Sequence, residues 1–499
     1  MTKKQNMAKT HESLETISVY TQDPPLNQFK FLFLETTLLK RIVQLGWPVI
    51  LGMFTQSAIN TVDLLMIGRL DDKIAVPGSA AVMSSLIILW AYGGFLSAIS
   101  VGTQAISARR FSEGQYSLAG QVLSNSIFVS IVASFFITLL AIYSVEPIMF
   151  LLSKDETVIK MSIEYSQIRL LGLPSMALMA SFKSFYDAMG RVKIHMCMAI
   201  LMNIINICFN YFFIFGTSIF GFVIEPMGVN GAAWGSVISS YAGLLFMIGW
   251  SLRRSDRLKF SVFTIKNINL TISFAVAKLS VWSGLATVVL MSGVGLFNYI
   301  VSSIDKENNL ASINSSASSI ITHIMMLVFM SSLAFGTSTA TLVSQSIGAK
   351  KIYLAQRYAW QCVILAIYST IIFGTIVFIF PDFILSLFLP ADLDNSQLKD
   401  LVIAQAIPSL KLTALFLSPA AAAGLVLTQA LYGAGETRFI MMVEFILHFF
   451  CLVPLAWFLA IHLNLGLIGC WLAAVIYGAL LFLATAYKFY QGSWKSLEL

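Results

Sequence analysis

Asp63 is an acid inside a long apolar stretch, in the run Thr55-Gln56-Ser-Ala-Ile-Asn60-Thr-Val-Asp63-Leu-Leu-Met-Ile-Gly68. On a helix, Gln56, Asn60 and Asp63 share one face and form a polar stripe. A carboxylate in such surroundings must take a proton or be compensated by a cation or by hydrogen-bond donors. That is the chemistry a proton- or Na⁺-coupled site needs. Asn203, Asn206 and Asn210 form a second stripe at i, i+3 and i+7. Their carboxamides can join helices by hydrogen bonds, and their oxygens can also ligate a hard cation. Glu444 and His448 stand at i, i+4 and could form a protonatable pair, although Glu444, six residues after Arg438, could equally be solvated at a helix end. Arg169 and Lys411 read as cations that snorkel to an interface. His323 has no evident partner and reads as structural. The Met-rich run Ile324–Met330 and Met291 are candidate lining for a cavity that takes greasy ligands, with ordinary packing as the alternative.

The elements that must position these residues follow from composition. Of 499 residues, 58% are hydrophobic and 11% charged, with a mean hydropathy of +0.82. Soluble domains carry roughly 25% charged residues, so the solvent for most of this chain is lipid. Twelve apolar stretches lie between residues 42 and 487, each near or above the roughly 20 residues that one span requires. Pro48, Pro174, Pro419 and Pro454 fall inside them. An all-α integral membrane protein of twelve transmembrane helices is expected.

Charge sorts by side. With the loops numbered alternately from the N-terminus, the first side holds 23 Lys/Arg and 9 Asp/Glu, and the second holds 6 and 13. Only Asp63, Arg169, Lys411 and Glu444 remain within spans. By the positive-inside rule the first side, which carries both termini, is cytoplasmic. The chain's net charge of +7 therefore describes topology and does not indicate nucleic-acid binding. The strongest basic loop, Arg253-Arg254-Ser-Asp-Arg257-Leu-Lys259, sits near mid-chain and suits contact with anionic lipid.

The halves echo each other. Gln104-Ala-Ile-Ser-Ala-Arg109-Arg110 matches Gln345-Ser-Ile-Gly-Ala-Lys350-Lys351 at an offset of 241. Pro174 precedes Gly190 by sixteen residues, as Pro419 precedes Gly435. Gly228-x-x-Gly231 recurs as Gly466-x-x-Gly469. Six spans per copy is an even number, so the repeats are parallel and form two pseudo-symmetric six-helix bundles. The expected organisation is a tail over 1–38, a first lobe over 39–252, a basic linker over 253–275, a second lobe over 276–488 and a tail over 489–499. The first 25 residues are expected to be disordered.

Other classes recede. The five cysteines (Cys197, Cys208, Cys362, Cys451 and Cys470) form neither a CxxC nor a set with histidine at ligand spacing. No P-loop occurs. Five scattered histidines do not supply an intramembrane enzyme site, so no enzyme and no cofactor is expected.

These residues resemble the MATE (multidrug and toxic compound extrusion) transporters. The resemblance rests on Gly46-Trp-Pro48…Thr61-Val62-Asp63…Gly68, the Gln-x-x-Gly-Ala element at Gln345–Ala349 and, less faithfully, at Gln104–Ala108, and Gly433–Arg438. It also includes Asn206…Asn210…Phe215-Gly216…Gly231-Ala232-Ala233. The resemblance implies a two-lobed, V-shaped transporter of the cell membrane that exports organic, often cationic, small molecules in exchange for Na⁺ or H⁺. It implies that Asp63, Asn206, Asn210 and, after Gly-Ala-Ala, Ser236 hold the coupling ion. Gln56, Asn60, Asn203, Met291, Glu444 and His448 are the expected cavity lining. Two departures stand out: Asn210 replaces a frequent second Asp, and the seventh and tenth spans lack the acid that some branches carry. A monomer in contact with membrane lipid is expected. The alternative is a flippase for lipid-linked oligosaccharides, which would line its cavity with several basic residues.

Overall fold

A computed structural model describes residues 35–152, 155–219, 222–264, 267–307, 312–388, 396–497 and 499. Most of the expected N-terminal tail lies outside these residues, as do the side chains of Gln56 and Asn60. The first lobe comprises α1 (Thr36–Ile67), α2 (Asp72–Ser97), α3 (Ile99–Ser112), α4 (Tyr116–Leu152), α5 (Glu156–Leu170), α6 (Leu173–Ala188), α7 (Lys193–Phe215) and α8 (Val229–Ser251). A small hairpin, β1 (Thr217–Ile219) and β2 (Phe222–Ile224), joins α7 to α8. The short α9 (Arg254–Phe260) leads to the second lobe: α10 (Leu270–Glu307), α11 (Ile313–Gly348), α12 (Ile352–Ile379), α13 (Pro381–Phe388), α14 (Ser396–Leu412), α15 (Ser418–Ala434), α16 (Thr437–Ile446), α17 (Val453–Trp457) and α18 (Gly466–Gln491).

Ten of the described helical segments are long and apolar enough to cross a membrane. The α1 helix and the α5–α6 pair coincide with the first and fourth apolar stretches of the sequence and complete the twelve-helix pattern. The chain is a multi-pass membrane protein.

Prolines accompany several of the breaks within spans, though not the one at Ala98 between α2 and α3. Pro174 begins α6, where its missing N–H is not needed. Pro419 and Pro454 each follow a π-helical segment, Thr413–Leu417 and Leu447–Leu452. Proline withholds the donor that the carbonyl four residues back would receive, and the hydrogen-bond ladder shifts register to absorb the loss. Pro48 stays within α1.

The sequence echoes have structural counterparts. Gly190 and Gly435, the matched residues sixteen after each proline, both take positive φ (73° and 95°) where one helix ends and the next begins. The first helix of each half also crosses to the other half. Leu38, Ile42, Leu45 and Val49 of α1 pack with buried residues of α11, α12 and α15. Val276 and Leu279 of α10 pack with Ile99, Ala105 and Ile106 of α3. Second-lobe core residues gather around Ile321, Leu410, Ala456 and Trp471. The first lobe is held by aromatic and Met packing around Phe182, Phe185 and Met247.

The basic linker folds back on the first lobe. Asp256 of α9 accepts from Arg191 (2.7 Å), Phe260 is buried, and Lys259 lies 4.2 Å from the centre of the Tyr116 ring. Arg254 and Arg257 remain exposed.

Candidate functional site

Asp63 lies on the last turns of α1 and is only 2% exposed. Its carboxylate is enclosed by side chains from α7 and α8. Asn210 Nδ2 donates to Asp63 Oδ1 at 2.5 Å, and Ser236 Oγ donates to Oδ2 at 3.1 Å. Asn206 Nδ2 donates to Ser236 Oγ at 3.1 Å, while Asn210 Nδ2 also approaches Asn206 Oδ1 at 3.3 Å. Asn206 and Asn210 are each fully buried. Four groups from three helices thus form one closed network, and each hydrogen bond to an ionised acid contributes about 1.5–3 kcal/mol.

Helix approach makes this possible. The α8 run Gly231-Ala232-Ala233-Trp-Gly235-Ser236 presents small residues to α7. A Cβ on Gly231 would come 2.5 Å from the Phe213 carbonyl, and one on Gly235 would come 2.0 Å from Asn210 Oδ1. The glycines are therefore what lets Ser236 and Asn210 reach the same carboxylate.

Arg169 of α5 joins this region. Its charge acts on Asp63 and on the buried Tyr165. Arg169, read from the sequence as a snorkelling cation, is half-buried, with its Nε sealed from solvent and its charge acting on Asp63. Lys411 instead lies 5.4 Å from the centre of the Phe378 ring.

The other candidates are placed elsewhere. Asn203 shares a helix face with Asn206 and Asn210, yet its Nδ2 donates to the Ala199 carbonyl of its own helix at 2.9 Å. Met291 is half-buried on α10. His323 is exposed, with Nδ1 2.8 Å from the Ser319 carbonyl. Glu444 and His448 are buried (8% and 1% exposed), so the solvated alternative for Glu444 does not hold. Glu444 Oε2 accepts from Tyr477 at 2.8 Å and lies 3.3 Å from His448 Nδ1. His448 belongs to the π-helical segment before Pro454, and its ring packs against Gly293 of α10. Glu444, His448 and Tyr477 form a polar group within the second lobe, separate from the Asp63 network.

The lobes are joined by hydrogen bonds at the end that carries the basic loops. Gln104 Nε2 of α3 donates to Thr341 Oγ1 (2.8 Å) and the Thr337 carbonyl of α11. Its repeat counterpart, Gln345 of α11, donates to the Ala188 carbonyl at the end of α6 (2.7 Å). The two matched glutamines thus clasp reciprocally across the seam. Arg109 donates to the Ala434 and Leu497 carbonyls. Arg357 pairs with Glu35. Among the described residues no cluster of His, Cys, Asp and Glu could hold a metal ion.

The fold and sequence have relatives. The chain is 22% identical over 443 residues to a probable multidrug resistance protein NorM of Bacillus anthracis, covering 88% of this chain and 92% of that one. It is 23% identical over 440 residues to the uncharacterized transporter YisQ of Bacillus subtilis, covering 87% and 90%. Its fold is similar to that of a MOP superfamily transporter from Pyrococcus furiosus (TM-score 0.81, 17% identity, covering 92% and 97%). It is also similar to an outward-facing multidrug resistance MATE family transporter (TM-score 0.79, 18% identity, covering 94% and 99%). The MatE family model matches residues 48–212 and 279–458, one match in each repeat, and the chain belongs to the MatE family.

Proposed function

We propose that this protein is a secondary antiporter that exports organic, often cationic, amphiphilic compounds in exchange for Na⁺ or H⁺. The observation that carries the reading is the buried Asp63 carboxylate, shared between Asn210 and Ser236 in a duplicated, two-lobed bundle. Its donor set suits either ion. Two carboxylate oxygens, two carboxamide oxygens and a hydroxyl are hard ligands for Na⁺. A proton on Asp63 would neutralise the same buried charge.

The basic end faces the cytoplasm under the positive-inside rule, so the clasp of Gln104 and Gln345 seals the cytoplasmic side. Ion entry from outside would loosen the network among α1, α7 and α8 and favour release of the exported compound. Loss of the ion inward, after the seam opens, resets the lobe. The names of the NorM relatives support multidrug compounds as cargo. The flippase alternative is disfavoured because Arg169 acts on Asp63 and Lys411 lies against Phe378, which leaves few cations for a pyrophosphate.

The test is ethidium efflux from proteoliposomes with the Na⁺ and pH gradients collapsed separately. Efflux stops when the coupling gradient alone is removed. Efflux that persists with both collapsed contradicts the antiport reading.

A further inference from the structure

At the end of α6 the structure holds a second buried acid that the Asp63 network does not use. Asp187 is 1% exposed, and neither carboxylate oxygen has a hydrogen-bond partner among the described residues. Lys183, one turn earlier on the same helix, acts on it electrostatically but makes no ion pair with it within 4 Å. His195, near the start of α7, is also buried, with Nδ1 unpartnered. Lys183 acts on it as well, and its ring packs against Gly52 of α1. Two buried titratable side chains without partners, around one half-buried lysine, are not an ordinary structural ion pair. Buried polar groups are otherwise nearly always satisfied.

The position of Asp187 gives this arrangement a use. Thr341 Oγ1 of the second lobe donates to the Asp187 backbone carbonyl at 3.2 Å, and Gln345 donates to the next carbonyl, Ala188. Asp187 is therefore sealed directly beneath the seam that closes the basic end. The surrounding elements bring little compensating charge. From α11 come the neutral Thr341 and Gln345, and from α3 come Gln104 and an Arg109 turned onto the Ala434 and Leu497 carbonyls. Arg41 of α1 points to Gln345. The α4 and α8 helices meet α6 through the apolar cluster around Leu123, Phe182 and Met247. Tyr186 of α6 itself and Arg191 just beyond it are engaged with Asp256.

We propose that Asp187 is a second proton-exchange site, carried as the neutral acid while the seam is closed and ionised by water at the basic end when Thr341 and Gln345 withdraw. The O–H bond of the acid breaks, the proton passes to water at that face, and Lys183 holds the carboxylate that remains. Reclosure requires the proton to return, so the protonation state of Asp187 sets which lobe arrangement is favoured. The site extends the antiport reading, on which its transport role rests. Its protonation can be read independently.

Two measurements test it. The first is the infrared difference spectrum of purified Asp63→Asn protein minus Asp63→Asn/Asp187→Asn protein at neutral pH, which isolates Asp187 whether or not Asp63 couples. A protonated-carboxyl stretching band supports the proposal, and a difference confined to carboxylate bands overturns it. The second is the initial rate of ethidium transport by the full chain against the pH of the compartment facing the basic end. Acidifying that compartment slows the Asp63-intact protein, because proton release is opposed. Asp187→Asn flattens this dependence to whatever part belongs to release from Asp63, and Asp187→Glu, which keeps a carboxyl, restores both the band and the slope. A slope unchanged in Asp187→Asn overturns the proposal.

Discussion

One carboxylate at the end of α1 determines what the neighbouring residues must be. With two donors committed to Asp63, removing one leaves a buried charge under-satisfied, at about 1.5–3 kcal/mol for a charge-assisted bond. Asn210→Ala is therefore expected to lower thermal stability by that amount, while Asn203→Ala, whose amide serves only its own helix, leaves it nearly unchanged. Thermal unfolding of the two purified variants checks the contrast. Gly235→Ala should be more damaging to transport than its size suggests, because the new Cβ would strike Asn210 Oδ1. At this scale the grouping of the residues, as distinct from their role, was readable in part. An acid inside a span and asparagines at helical spacing single out Asp63, Asn206 and Asn210 without any coordinates. Asn203 shares their face and was not separable, because spacing on one helix does not say how far the neighbouring helix extends. The action of Arg169 on Asp63 was missed for a related reason: which buried group a long cation acts on depends on what faces it.

Element boundaries follow local chemistry that repeats. Each lobe contains a proline, a helix of similar length and a glycine in the left-handed region, at Gly190 and at Gly435. An L-residue there costs roughly 1–2 kcal/mol, so Gly190→Ala and Gly435→Ala should each lower the unfolding midpoint. The loss should be greater for Gly435→Ala, whose Cβ would also sit 3.0 Å from Leu499. Equal and negligible effects in a thermal melt would contradict this account of the joints. The apolar stretches located the helices well, and Pro174, Pro419 and Pro454 marked three of the places where they deviate. The form of the deviation was not legible. Pro174 separates two helices, whereas Pro419 and Pro454 leave continuous rods with π-helical segments, and the choice is made by packing. The burial of Glu444 and His448 beside Tyr477 and Gly293 likewise arises from contact between α10, α16 and α18, which no local spacing records.

For the whole molecule, the distribution of charge and the duplication were written in the chain, and both led to a two-lobed membrane bundle. Which end is closed was not written there, because closure is a contact between halves. The glutamines were visible as a repeated motif, and only the structure gives their reciprocal task across the seam. Each such bond contributes about 0.5–1.5 kcal/mol. Gln104→Ala and Gln345→Ala should each shift the population toward opening at the basic end by roughly twofold to tenfold, read as increased cysteine labelling at that face. If Asp63 couples an ion gradient to export, Asp63→Asn in proteoliposomes under an imposed Na⁺ or H⁺ gradient uncouples the two. Gradient-driven ethidium efflux is then lost while ethidium still binds. Undiminished, gradient-driven efflux by Asp63→Asn would contradict that coupling.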